Sequence, residues 1–249
     1  GAATTTISIA FNNTTTGPGT GIVNVNAGTL ALNGGGTGNG TFDVASGAVL
    51  SFGGGAYTLS GTVAGAGTGQ MLVNGGIVNA NGSNAFGGQL AISSGTLNVN
   101  GPFTAAGANI SGGIIGGTGA LTISGAAGWS SGDMSGTGST TFSGPLTLAG
   151  NGLRDISSRA VNFAGTTTWT NTAGGNGGQF RTGSAALLTN SGTFLDQTAF
   201  AASINAGLGG AASTFANAGT YTKSGAATTT ISIAFNNTTT GPGTGIVNV

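Results

Sequence analysis

The sequence predicts an all-β chain wound as a parallel β-solenoid, with about ten or eleven coils of roughly 20–22 residues in each repeat. Three observations carry this expectation. Short apolar stretches alternate with period two and are broken by glycine. Several of them recur at one common interval, as Val23 to Phe42, Met71 to Leu90, Phe142 to Val161 and Val161 to Phe180. The opening block, GAATTTISIAFNNTTTGPGTGIVNV, also returns without a mismatch at 225–249. Self-similarity of this kind marks a repeat architecture, and missing it miscalls the whole fold.

Taken in order, the strands begin with Ile7-Ser8-Ile9-Ala10-Phe11, whose apolar side chains fall on one side of an extended segment. Val23-Asn24-Val25 repeats the pattern, Ala27-Gly28 turns, and Leu30-Ala31-Leu32 resumes it. Phe42-Asp43-Val44, Met71-Leu72-Val73, Leu90-Ala91-Ile92, Leu97-Asn98-Val99, Leu121-Thr122-Ile123, Leu146-Thr147-Leu148 and Val161-Asn162-Phe163 continue it. No window sustains a helical apolar stripe, so almost no helix is expected.

Glycine supplies 54 of 249 residues, about three times its usual share. Each glycine inside a strand costs roughly 0.5–1 kcal/mol relative to alanine, so most must lie at corners. Gly34–Gly36, Gly53–Gly55, Gly75-Gly76, Gly112-Gly113 and Gly116-Gly117 are the corners expected. Asn24, Asn79 and Asn98 occupy matching places in apolar-Asn-apolar motifs and are expected to stack as an amide ladder. The second half, with Trp129, Trp169 and seven of the eight charges, is expected to carry larger loops at 150–159 and 198–212.

The duplication divides the chain into one repeat unit, 1–224, and the start of an identical next unit, 225–249. The expectation is a window on a longer tandem array. Each unit would stack on the next through Ile7, Ile9, Phe11, Val23 and Val25 and their copies Ile231, Ile233, Phe235, Val247 and Val249, all pointing inward. The two copies should share one conformation, related by a small rotation and a translation of about 50 Å at roughly 4.8 Å per coil.

Composition excludes several functions. Four Lys and Arg balance four Asp, and charged residues make up 3% of the chain. Binding a phosphate backbone needs clustered cations, so nucleic acid is not an expected partner. No apolar run approaches the length that spans a bilayer, and no membrane insertion is expected. With no His, Cys or Glu, the commonest general base, thiolates and most zinc sites are missing. No enzyme activity and no cofactor is expected.

The one arrangement resembling a catalytic pair is Asp133 and Asp155, spaced by about one coil, with Arg154 and Arg159 nearby; the expected reading is a self-neutralising Asp–Arg cluster. Residues 174–180, GGNGGQF, lack the aspartate of calcium-binding glycine repeats. Gly65-Ala66-Gly67-Thr68-Gly69 has neither the lysine nor the helix of a phosphate loop. The threonine runs 4–6, 14–16, 166–168 and 228–230 are not a regular array and read as exposed strand residues. Trp129 and Trp169 are the aromatic anchors that a surface-binding function would use.

Gly28-Thr29-Leu30, Gly47-Ala48-Val49-Leu50, Gly95-Thr96-Leu97 and Phe215-Ala216-Asn217-Ala218-Gly219-Thr220-Tyr221 resemble the repetitive passenger regions of bacterial autotransporters and filamentous-haemagglutinin-like surface proteins. The resemblance covers most of the chain in short, degenerate motifs. It implies a right-handed parallel β-helix, secretion to the cell surface, and structural or adhesive work. The expected function is a structural repeat of a giant extracellular fibre assembled from itself. The alternative is an adhesin stalk that contacts glycans or surfaces.

Overall fold

A computed structural model of the chain describes residues 3–15, 21–60, 64–65, 67–174, 178–238 and 245–249. These residues hold 27 strands and no α-helix. Every pairing among the strands is parallel and joins a strand to one in the next coil, so the chain is a parallel β-solenoid. Alternating side chains that must be buried on one side only, with glycine where the chain turns, leave little else to form.

Three faces run along the rod. Face 1 has twelve rungs: Thr4–Ile7, Thr29–Leu32, Val49–Phe52, 70–73, 89–92, 107–110, 127–129, Leu146–Leu148, Thr166–Trp169, Thr193–Asp196, Thr220–Lys223 and Ile246–Asn248. Face 2 begins at a bridge from Asn13 to Gly38 and ends at Thr229–Ile231. Face 3 begins at Ile22–Val25 and ends at Ala234–Asn237. Coils in the middle of the chain are short, and Met71, Leu90, Ala108, Ala127 and Leu146 stack there in register. Later coils are wider: Trp169 stacks on Asp196, and Asp196 on Lys223.

Of the four equal spacings in the sequence, two are true coil steps, Val23 on Phe42 and Met71 on Leu90. The other two are not. Phe142 stacks on Phe163, and Val161 stacks on Leu188, because the coils there are longer.

The expected loops are also partly strand. Arg154–Ser157 lies on face 2 within 150–159, and Ala202–Gly209 lies on face 2 within 198–212. Of the amide ladder, Asn98 donates to Asn79 at 2.9 Å, but Asn24 lies on face 3 opposite Asp43.

The corners are where glycine is required. At the turn from face 3 to face 1, Gly144, Gly165, Gly192 and Gly219 stand one above another. A Cβ on any of them would lie 2.0–2.3 Å from the carbonyl oxygen of the glycine one coil below, so no larger residue fits without parting the coils.

The core is a continuous file of Val, Ile, Leu and Phe between the three faces. In the second half it becomes aromatic. Trp129 meets Phe142 and Phe180, and Phe180 meets Trp169. Trp169 and Phe163 meet Phe194, which in turn meets Phe215 and Tyr221. Ring centroids along this file are 5.3–6.4 Å apart, within the range where edge and offset contacts add to burial.

Candidate functional site: the junction between repeats

The duplicated block places the boundary between units at Gly225, and the structure contains strands on both sides of it. On face 2, Thr229–Ile231 pairs with Ala202, Ser203 and Ile204. On face 3, Ala234–Asn237 pairs with Thr214–Asn217, and on face 1 Ile246, Val247 and Asn248 pair with Thr220, Tyr221 and Thr222.

Three kinds of contact cross the boundary. The aromatic file does so at Phe235, whose ring is 5.3 Å from Phe215 and 5.9 Å from Tyr221. An amide ladder runs from the core across it: Asn190 Nδ2 donates to the buried Asn217 Oδ1, and Asn217 Nδ2 to Oδ1 of the exposed Asn237, each at 2.7 Å. Asn190 and Asn217 are fully buried at the ends of their strands, and each also donates to a backbone carbonyl of the next coil, Thr220 and Ile246 respectively.

The third contact is a buried carboxylate. Asp196 stands on the inner side of face 1, where Trp169 stands in the coil below and Lys223 in the coil above. Tyr221 Oη donates to Asp196 Oδ2 at 2.8 Å; Thr198 donates to Oδ1 through its hydroxyl at 2.8 Å and its N–H at 3.2 Å; Lys223 Nζ lies 3.2 Å from Oδ1. The Thr229 hydroxyl, from the repeated block, lies 3.3 Å from that of Thr198. Burial pushes the Asp196 carboxyl up, but the hydroxyls of Thr229, Tyr221 and Thr198 outweigh it and hold the group below its ordinary value. Burial and the same carboxylate drive the Tyr221 phenol far upward.

Of the ten residues expected to point inward, Val25 is buried, and Ile7, Phe11, Val23, Ile231, Ile233 and Phe235 pack against the core. Ile9 does not; it is 76% exposed. The strand ends at Ile7 and the chain bends at Ile9, as it does at Ile233. The bend takes both residues out of strand alternation, and Ile233 meets the core because a coil lies beneath it. Val247 and Val249 are exposed, with no described strand above them.

The copies differ in more than cover. Residues 234–237 form a strand, whereas 10–13 form none: Phe11 N–H donates to Gly35 O and Asn13 makes an isolated bridge to Gly38. The expected small rotation is also wrong. Thr4–Ile7 lies on face 1 and its copy on face 2; Asn13 lies on face 2 and Asn237 on face 3; Ile22–Val25 lies on face 3 and Ile246–Asn248 on face 1.

Trp129 and Trp169 are not surface anchors. They are 1% and 0% exposed, inside the aromatic file. Both follow strand alternation inward, where large rings fill the wider coils. Phe200 is the one large aromatic exposed among the described residues.

Asp133 and Asp155 do stack as outward neighbours on face 2. The base that neutralises them is Arg181, one coil further on, which grips Asp155 through Nε at 2.8 Å and through NH2. Partial burial and the Asp155 charge raise the Asp133 carboxyl, with Arg181 opposing.

Arg154 and Arg159, expected in this cluster, lie inside the rod instead. Adjacent strand residues point to opposite sides, so an outward Asp155 dictates an inward Arg154. Arg154 donates to the carbonyls of Trp129 and Ala149 and sits over the Phe180 ring, its charge 5.5 Å from the centroid. Arg159 donates to Thr140 Oγ1 at 2.8 Å and to the carbonyls of Ser139 at 2.8 Å and Ser135 at 3.0 Å. Burial lowers both guanidinium groups to about 10.

No group of three or more acidic, His or Cys side chains is placed to hold a metal among the described residues. Of the glycine-rich motifs read from the sequence, Ala66 and 175–177 lie outside the described residues, as does Thr16 of the threonine runs.

The interior Asn ladder and the Asp196 network escaped the sequence reading. Their signal is Asn190-Ser191-Gly192-Thr193-Phe194 recurring one wide coil later as Asn217-Ala218-Gly219-Thr220-Tyr221, a spacing hidden by the shorter coils before it. No protein-family model, no curated protein and no solved structure matches this chain.

Proposed function

We propose that the chain is a structural module of an extracellular tandem-repeat fibre, in which each unit seats on its neighbour as residues 229–231, 234–237 and 246–248 seat on the coils before them. One observation carries the reading: the aromatic file, the amide ladder and the Asp196 network all run through the unit boundary. A chain continuing with the same sequence keeps its core closed, where an open solenoid end would present unpaired strand edges. Absence of cysteine and a nearly uncharged exterior fit a secreted rod more readily than a cytosolic enzyme. Asp155, held by Arg181, and Asp133 stacked beside it serve as surface charge balance and not as an acid–base pair.

The adhesin alternative is weakened by the burial of both tryptophans, which removes the anchors it would use. Fibre formation is tested with recombinant polypeptides of one, two and three units. Single units should associate end to end, and the tandem proteins should appear in electron micrographs as rods lengthening by about 50 Å per unit. Single units that stay monomeric at high concentration, or tandem units that fold as beads on a string, would overturn it.

A further inference from the structure

The repeat does not close on itself in whole coils. Thr4–Ile7 is the first rung of face 1. Its copy, Thr229–Ile231, follows the eleventh rung of face 1, Thr220–Lys223, and lies on face 2. The chain therefore climbs ten coils and one further face between equivalent residues. Each segment of the block shifts the same way: Asn13 from face 2 to face 3 at Asn237, and Ile22–Val25 from face 3 to face 1 at Ile246–Asn248. Ile7 and Ile231, like Phe11 and Phe235, remain on the core side throughout. The paired segments of the block thus keep their core side and change face.

We propose that successive units in the array are related by a screw of ten coils plus one face, about a third of a turn around a three-faced rod. The proposal rests on the tandem reading and specifies its symmetry. Units of one sequence would then present each surface feature on face 2, then face 3, then face 1. The pattern returns only after three units and 31 coils, about 150 Å at the spacing of β-strands. The outward charge ladder of Asp133, Asp155 and Arg181 therefore winds around the fibre instead of forming a stripe along one side. Two parallel fibres cannot match that ladder face to face at every unit, so a lateral partner copy must meet it once per turn of the screw.

The phase can be read in the chain of 1–249, whether or not it forms fibres. The chain has no cysteine. Ser203 and Thr230 are register partners on face 2, and both point outward; S203C/T230C should oxidise to an intramolecular disulfide, since parallel neighbours lie within disulfide reach. A repeat of ten whole coils would instead put the block in the place that Thr220–Lys223 holds on face 1, where Thr230 would take the position of Thr222 beside Leu195. L195C/T230C should accordingly stay reduced. T122C/T141C, register partners within the unit, serves as the positive control. Oxidation of L195C/T230C, or failure of S203C/T230C while the control closes, overturns the screw. A three-unit rod imaged at subunit resolution should show units turned by one face; rods with units in line overturn the screw and leave the fibre reading standing, while absence of rods overturns the fibre reading alone.

Discussion

Replacing Asp196 by Asn removes one charge from the centre of the junction and changes almost no volume. Three donors from Tyr221 and Thr198 converge on the buried carboxylate. A hydrogen bond to a charged acceptor contributes about 1.5–3 kcal/mol and a neutral one about 0.5–1.5 kcal/mol, so neutralising the acceptor costs roughly 1 kcal/mol per bond. The Tyr221 hydroxyl can turn to accept from the new amide, which brings the expected loss to about 2–3 kcal/mol at pH 7.

The pH dependence follows from the direction of the shift. The Asp196 carboxyl titrates below its ordinary value in the folded chain, so its contribution is complete above the unfolded value of about 3.9. It is lost as pH falls through the lower folded value. The difference between the wild-type chain and D196N should therefore be full at pH 7, still nearly full at pH 5, and absent once both carry a neutral side chain in strong acid. Because a solenoid opens locally before it melts globally, the readout is hydrogen exchange of amides across 220–237, supported by the denaturant midpoint. Equal protection in the two proteins at neutral pH, or a gap that persists in strong acid, would refute the account of Asp196.

Two further outcomes follow from the packing. G192A should destabilise the rod by about 1–3 kcal/mol, since its Cβ would meet Gly165 O at 2.2 Å, while G174A, with nothing within 4 Å, should leave the denaturation midpoint unchanged or slightly raised. Acrylamide should barely quench the fluorescence of Trp129 and Trp169 in the folded chain and should quench it fully in denaturant, because both indoles are buried.

What could be read from the sequence was whatever depends on neighbours one or two positions apart. Alternation at Met71-Leu72-Val73 and Leu90-Ala91-Ile92 marked strands and their inner side, and the interval between them was a true coil step. The stacking of Asp133 on Asp155 was legible because both ends of that interval are outward positions. Arg154 was misplaced by reading proximity in sequence as proximity on the surface, when alternation sends it inward. The tryptophans were misplaced because an indole has both a surface use and a core use, and only the width of the coil around it decides between them. The phase of the repeat was out of reach for a different reason. Coil length drifts along the chain, from the short step of Leu90 to Ala108 to the wide one of Trp169 to Asp196. Dividing the repeat by a mean coil length therefore fixes the number of coils only to the nearest whole coil and says nothing about a third of one.

The variable coil length has a mechanical meaning. Pulled along its axis, a solenoid made of one continuous chain does not part; it yields by peeling a coil at a time from an end. A short coil such as that between Met71 and Leu90 gives up about 65 Å of extended chain, and a wide one such as that between Asp196 and Lys223 about 95 Å, each in place of about 4.8 Å of rod. Slack is therefore stored unevenly along every unit. The wide aromatic coils beside the repeat boundary hold the longest reserves, so the chain pulled from its ends should lengthen in unequal steps and keep its covalent connection throughout.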